Sequence, residues 1–540
     1  VAESEANDGV QERDRIVARA GVVGAGTLFS RVLGYVRDAC IAALFSKDQT
    51  DAFSVALTIP NTLRQLLAEG AVSSAVVPVL AARLDRDGEA GARLFFARAR
   101  GLSLVVLAAV AVAGVCAAEP LTALFASGYR ARPGQFERTV ALTRVMFPYI
   151  FFMGTAAMGM AALNAKKRFA VAAFAPALFN VALIAAALVL RHPLEARGVD
   201  GSMALGIGVL AGGVWQVVAQ WPALRAIGYA SMPRFDWRDP HVREMARRIG
   251  PMTLGFGIYY VNLTLSRRFL SELGSGAQSY FFWASRVCDL PQGVFVMALS
   301  TAALPSLATF AAANKYGELA TTWARGMRLS MFVALPCSAA LAALSLPLVS
   351  LLFERGQFGL GEARETARAL AWQGAAVFTV AAVRQMVAAF YALGDTRTPV
   401  MVSAINLGVF VALASVLRGP LGHVGISIAV AGASAAQMVL LAVGLRRRLG
   451  TLRGREIALS LARMSVAAAV AGAMGWASAS LMSAWCASVG VLRRTVPGVV
   501  GSSLFLIVYS AIVWGLDAPE VHEVWGPIQK RLRRVRAPKA

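Results

Sequence analysis

Apolar runs of about 20 residues recur along the whole chain, separated by short polar stretches. At 1.5 Å per residue such a run, coiled as a helix, crosses the ~30 Å hydrocarbon core of a bilayer. Fourteen spans are expected, near 20–45, 51–82, 101–118, 139–162, 170–190, 202–224, 249–271, 278–309, 329–352, 369–393, 399–417, 422–445, 457–483 and 496–516. The pattern therefore predicts an all-α polytopic membrane protein. Composition agrees, since 57% of the 540 residues are hydrophobic and only 15% are charged. A soluble chain of this size carries roughly a quarter charged residues. Residues 1–19 are polar and the first apolar run is too long for the apolar region of a cleaved signal, so none is expected.

The chain repeats itself. "ALFASGYRARPGQFERTVAL" (123–142) is echoed by "LLFERGQFGLGEARETARAL" (351–370), and "APALFNVALIAA" (175–186) by "PVMVSAINLGVFVAL" (399–413). The pairs Phe125/Phe353, Pro78/Pro305 and Asn180/Asn406 lie 228, 227 and 226 positions apart. One period holds six spans, an even number, so the two halves are expected to share one orientation, as in transporters built from parallel repeats. The expected organisation is an N-terminal cytoplasmic segment (1–19), a first six-span half (20–224), a cytoplasmic linker (225–248) and a second half (249–445). An additional pair of spans (457–516) and a basic cytoplasmic tail (517–540) follow.

Charge sets the orientation. The loops at 83–100, 166–168, 225–248, 315–328, 397 and 446–455, with both termini, hold 32 of the 53 lysines and arginines. The intervening loops hold 12. Basic residues mark cytoplasmic loops, so both termini are expected in the cytoplasm. The net charge of +23 is thereby explained by topology, and no nucleic-acid partner is inferred from it.

Nine basic residues remain inside or at the edges of spans, and all are arginine. Arg144, Arg267, Arg268, Arg384 and Arg463 can snorkel from helix ends. Arg31, Arg37, Arg64 and Arg286 cannot be dismissed so simply. An arginine at a bilayer centre costs about 2.5–3.5 kcal/mol on the insertion scale, so four facing lipid would cost on the order of 10 kcal/mol. They are expected to face a wet cavity or acidic partners, of which Asp38, Asp51, Glu69 and Asp289 are the candidates, with Ser30 and Asn61 as neighbouring polar groups. Arg286 and Asp289 share a helix face, whereas Arg31 and Arg37 lie about 120° apart on a straight helix, with Gly34 between them as a potential bend. Pro60 suggests a kink in the second span. Guanidinium is permanently charged and forks onto phosphate oxygens, so a cavity lined by arginine suits an anionic, phosphorylated substrate.

Chemistry beyond binding finds no foothold. The four histidines fall in loops or the tail, and there is no Walker, HExxH or GxSxG motif. Cys40, Cys116, Cys288, Cys337 and Cys486 are dispersed without CxxC spacing and read as small apolar fillers. No metal and no cofactor are expected, and the chain does not read as an enzyme.

"SRVLGYVRDA" (30–39), "TDAFSVALTIPNTLRQLLAEGAVSSAVVPVL" (50–80), "FERGQF" (353–358) and "FYALGDTRTPV" (390–400) resemble the MurJ (MviN) family of bacterial lipid II flippases, within the multidrug/oligosaccharidyl-lipid/polysaccharide exporter superfamily. The resemblance covers roughly residues 18–515. It implies fourteen helices in two six-helix lobes, a final pair forming a groove for a lipid tail, and an inner-membrane location. It also implies a substrate, undecaprenyl-pyrophosphate carrying the disaccharide-pentapeptide of peptidoglycan. The family's functional arginines fall on Arg31, Arg37, Arg64 and Arg286, and its acids on Asp38, Asp51 and Glu69. Two positions depart from the family: Ser285 and Ser266 stand where acids are frequent, so no bound sodium is expected.

The resulting expectation is a flippase working by alternating access, with lipid II and membrane lipid as partners and cell-wall synthesis proteins as its protein neighbours. A flippase for another undecaprenyl-linked oligosaccharide, a membrane enzyme acting on lipid-linked sugars, and a non-transporting scaffold are the competing readings. "GDTRTP" (394–399) is expected to be a tight turn starting a helix at Pro399, and "ERGQF" (354–358) a helix cap.

Overall fold

Long apolar runs punctuated by glycine and proline can satisfy their backbone groups in lipid only as helices. A computed structural model of the chain describes residues 24–523 apart from 66–69, 246, 248–256, 294–296 and 487–489; its secondary structure is almost entirely helical. Glu69, the first 23 residues and the end of the tail lie outside the described residues.

The chain divides into two compact units, residues 1–278 with Arg355–Gln357, and residues 279–354 with 358–540. The first contains α1 (24–44), α2 (Lys47–Arg64), α3 (Gly70–Cys116), α4 (Ala118–Ala126), α5 (Gln135–Met146), α6 (Tyr149–Ala165), α7 (Phe169–Glu195), α8 (Met203–Ala226), the short α9 (240–245) and α10 (Gly257–Ser271). From the boundary onward come α11 (Ala277–Pro291), α12 (Met297–Ala312), α13 (Tyr316–Ala343), α14 (Ser345–Phe353), α15 (Leu360–Ala375) and α16 (Val377–Ala392). The chain continues through α17 (Arg397–Leu449), α18 (Gly454–Trp485) and α19 (Gly490–Gly515).

Nine of the described helical stretches are long and apolar enough to cross a membrane. Helix α17 alone runs 53 residues, about 80 Å, more than twice the hydrocarbon thickness. Its backbone breaks at Gly422 (φ +56°), between the two spans expected at 399–417 and 422–445. Helix α3 breaks similarly at Gly88 (φ +67°), but the stretch 83–100, expected as a loop, is helical on both sides of the break. Its Ala, Arg, Leu and Glu residues are strong helix formers, and their propensity prevails over their polarity. Helices α1, α2, α10, α11 and α12 are not among the nine, and α1, α2 and α11 hold the four costly arginines.

In the first unit, α2 starts at a capping box in which Ser46 and Gln49 satisfy each other's backbone N–H groups. It then runs on as helix through Pro60 to Arg64, and Gln65 beyond it sits in a π-type turn. The repeat-related Gln292, 227 positions on, also sits in a π-type turn at the end of α11. One core of this unit packs Phe95 and Phe96 with Met158, Leu163 and Tyr229, and another packs Val55 and Ile59 with Phe125, Tyr129 and Phe147. Helix α8 approaches α7 closely: a Cβ at Gly212 would lie 2.6 Å from the Phe179 ring, and one at Gly208 2.7 Å from Leu183. Such contacts are how helices associate where lipid removes the hydrophobic drive. They fix α7 against α8. On α7's other neighbour, Gly26 of α1 meets Ala173, and Phe29 meets Phe174 with ring centroids 6.3 Å apart.

The second unit has one core of Trp323, Met327, Met386, Phe390, Leu441, Leu445 and Met464, drawn from α13, α16, α17 and α18. A second core joins Leu344 to Ala467, Ala471, Phe505 and Tyr509, and Tyr509 donates its hydroxyl to the Phe332 carbonyl at 3.1 Å. Helices α18 and α19 are thus integral to this unit although they lie outside the repeat. Past α19, Glu520 is buried, accepting from Ser460 at 2.8 Å and facing Arg328 at 3.6 Å.

Candidate functional site

On α1 the two arginines have different fates. Arg37 donates from Nε (2.8 Å) and Nη2 (2.5 Å) to one carboxylate oxygen of Asp38, and from Nη1 to the side-chain oxygen of Asn180 on α7 at 2.9 Å. The pair is mostly buried, its side chains 12% and 5% exposed. The Asn180 amide nitrogen in turn donates to the Ser30 carbonyl at 3.0 Å, so Ser30, Arg37 and Asp38 are held together around one α7 side chain. Arg31 is half-buried and makes no hydrogen bond or ion pair among the described residues. Helix α1 remains unbroken across Gly34.

On α2, Arg64 donates from Nε to Asn61 Oδ1 at 3.0 Å, a pairing one helical turn apart. Asp51 lies thirteen residues earlier on that helix, about 20 Å away along its axis. It is fully buried, accepts the Gly276 N–H at 2.9 Å where α11 begins, and faces Arg132 at 3.6 Å. Arg132 also donates to the Leu273 carbonyl, and Ser275 donates to Asp48. Asp51 therefore fastens the α10–α11 turn to α2. Between them Ser54, Thr58 and Thr62 form a buried stripe that returns its hydroxyls to the Asp51, Ser54 and Thr58 carbonyls.

In the second unit, Arg286 lies 4.8 Å over the Phe282 ring and 3.6 Å from Asp289, which is 60% exposed. Ser285 donates to Gln373 at 2.9 Å, and Gln373 to Ser427 at 3.1 Å. Ser266, on α10, donates to the Asn262 carbonyl at 2.8 Å. Ser285 and Ser266 are thus both engaged in neutral hydrogen bonds. No group of three or more metal-ligating side chains occurs among the described residues.

Two motifs are structural in this conformation. In "GDTRTP", Gly394 takes φ +74° and Asp395 accepts the N–H groups of Arg397 and Thr398 at 3.1 and 3.0 Å. Helix α17 starts at Arg397, so Pro399 falls in its first turn, where a missing N–H costs nothing. The Thr398 backbone and hydroxyl bonds, with Arg448 at 3.1 Å, hold the Asp395 carboxyl below its ordinary range. In "ERGQF", Glu354 pairs with Arg493, and its carbonyl accepts from Arg494 at 3.2 Å, tying the α14–α15 turn to α19.

Asn180, Arg132, Gln373 and Ser427 carry these networks and were not singled out as functional from sequence. A single signal pointed to Asn180: a polar side chain recurring at the same place in each half of an otherwise apolar helical pattern.

Comparisons with known proteins complete the picture. A solved structure described as the lipid II flippase MurJ in an inward closed conformation superposes with a TM-score of 0.71 at 19% identity, covering 92% of this chain and 99% of that one. An inward-facing multidrug transporter of the MATE family superposes with a TM-score of 0.64 at 14% identity over 79% of this chain and 96% of that one. The fold is that of a multi-pass membrane transporter of this kind. The family model for lipid II flippase MurJ matches residues 41–495. A probable lipid II flippase MurJ of Rhizobium meliloti is 33% identical over 93% of this chain and 94% of its own length. The lipid II flippase MurJ of Burkholderia cenocepacia is 31% identical over 79% of this chain and 83% of its own. The chain belongs to the MurJ family.

Proposed function

We propose that this protein is a lipid II flippase of the bacterial inner membrane. It carries undecaprenyl-pyrophosphate-linked disaccharide-pentapeptide from the cytoplasmic to the periplasmic leaflet by alternating access. The head-group pyrophosphate is the ligand of Arg31, Arg37 and Arg64, joined by Arg286. Arg31 carries the reading: a permanent, half-buried cation on α1, with no hydrogen bond or ion pair among the described residues, in a chain of the MurJ family. Its charge needs an anion, and phosphate oxygens match its fork. The remaining elements take matching roles. The fourteen spans are arranged as two six-helix halves with both termini cytoplasmic. Helices α18 and α19 shape a path for the polyprenyl tail, beside an apolar groove lined by Ala339, Ala343, Ala473 and Trp476. The protein performs no covalent chemistry.

The test is complementation. Expressed in a bacterium depleted of its own lipid II flippase, the chain restores growth and lipid II translocation, and Arg31→Ala does not. Growth failure despite stable insertion, together with transport of a different undecaprenyl-linked oligosaccharide in vesicles, would replace lipid II as the substrate.

A further inference from the structure

Guanidinium has five N–H donors in a fixed plane. In Arg37, three are taken, two by Asp38 and one by Asn180, which leaves two for an outside acceptor. Asp38 is the next residue in the chain and supplies the counter-charge. Asn180 contributes something different, because it comes from another helix and is itself locked. Its amide nitrogen donates to the Ser30 carbonyl at 3.0 Å while its oxygen accepts from Arg37 at 2.9 Å. Flipping the amide would set N–H against guanidinium and oxygen against carbonyl, so one orientation alone satisfies both bonds. Asn180 is 5% exposed, and α7 is pinned on either side of it by the close approach of Gly212 to Phe179 and of Gly208 to Leu183. The repeat supplies a control. Asn406 occupies the corresponding place in the second half, is half-exposed on α17, and its side chain makes no hydrogen bond among the described residues. The asparagine is therefore not engaged this way by repeat packing as such. Its bonds in the first unit exist because Arg37 and Ser30 are there.

We propose that Asn180 is a positioning residue of the head-group site: it fixes the plane of the Arg37 guanidinium so that the two unused donors are held ready for pyrophosphate. This rests on the reading that Arg37 binds the pyrophosphate. A guanidinium held before the ligand arrives gives up less side-chain freedom on binding than one that must be ordered by it.

The experiment measures binding of undecaprenyl pyrophosphate and undecaprenyl monophosphate to the purified full-length protein in nanodiscs. The variants are Asn180→Leu, Asn180→Asp, Arg37→Lys and Arg37→Lys combined with Asn180→Leu. Asn180→Leu removes both bonds at similar volume. Asn180→Asp keeps an acceptor for Arg37 and loses the donor to Ser30, and it stands in if the leucine variant fails to fold. Each single variant is expected to weaken pyrophosphate binding about tenfold, the scale of one charge-assisted hydrogen bond, with monophosphate binding changed far less. The double variant is expected to be no weaker than the worse single one, because both changes act through the same guanidinium. If Arg37→Lys loses the pyrophosphate preference while both Asn180 variants keep it, or if the double variant is additive, Asn180 does not act through Arg37 and the inference fails alone. If Arg37→Lys itself keeps the preference, the head-group reading of Arg37 fails and the inference falls with it.

Discussion

Lysine carries the same charge as arginine but only a point of it, and α1 offers two sites that separate charge from shape. Arg31 has no partner to lose among the described residues, so Arg31→Lys is expected to leave the thermal unfolding of the purified protein unchanged. It should still weaken lipid II binding about tenfold to a hundredfold, equivalent to ~1.5–3 kcal/mol of lost forked contact. Arg37→Lys differs. It breaks the buried bonds to Asp38 and Asn180 and is expected to cost about 1–3 kcal/mol of stability, seen as a lowered unfolding temperature, besides its loss in binding. Equal unfolding shifts for the two variants would contradict the asymmetry. The arginines themselves were legible in the sequence because their cost in lipid depends only on residue type and depth. Their partners were less so. Asp38 is adjacent to Arg37 in the chain, but Asn180 lies 143 residues away. Asp51 was expected among the cavity acids; its bonds to Arg132 and the Gly276 N–H come from chain segments that sequence spacing does not bring together.

Helix ends are where local chemistry is read most directly, and Asp395 shows both its reach and its sign. The side chain accepts two N–H groups and one hydroxyl at the start of α17, so Asp395→Ala is expected to cost about 1 kcal/mol at neutral pH. Because these bonds and Arg448 lower the folded-state pKa, the stabilisation is present above the unfolded value near 3.9 and is lost as pH falls through the lower folded value. The unfolding temperatures of wild type and variant should therefore differ at pH 7 and draw together below about pH 4. A gap that stays constant to low pH would mean the carboxylate is not the stabilising species. Elements were legible wherever apolar runs were long: the paired spans in α17 were visible as two runs meeting near Gly422. The stretch 83–100, whose charges suggest a loop, is helical on both sides of Gly88, because helix propensity and pairs such as Arg93 with Glu89, one turn apart, carry α3 through it. Pro60, expected as a kink, lies inside α2, which is continuous as helix from Lys47 to Arg64.

At the scale of the whole chain the open question is orientation, and the distribution of unpaired charge decides what to expect. Arg132, Arg138, Arg191 and Arg493, from the sparsely basic loops, each face an acid: Asp51, Asp200, Glu195 and Glu354. Partial burial would raise the Asp200 carboxyl, but bonds from Ser202 and Arg138 outweigh it and keep the group ionised as a partner. In the densely basic set, Arg446, Arg447 and Arg455 at the α17–α18 turn make no ion pair among the described residues. Local pairing thus leaves the charge bias of the loops standing, and that turn is where exposed positive charge is concentrated. The positive-inside rule acts on such charge during insertion, so the α17–α18 turn is expected in the cytoplasm. Single cysteines placed in a cysteine-free background make this measurable in intact cells with a membrane-impermeant maleimide. Gly361→Cys, exposed at the start of α15, and Arg197→Cys, exposed after α7, are expected to react; Gly454→Cys, exposed at the start of α18, is expected to react only after the cells are opened. Replacing Arg197 removes a base from the sparse side and so cannot by itself reverse the bias. Labelling at position 454 in intact cells, with 361 and 197 protected, would invert the chain in the membrane, and the proposed direction of transport would invert with it.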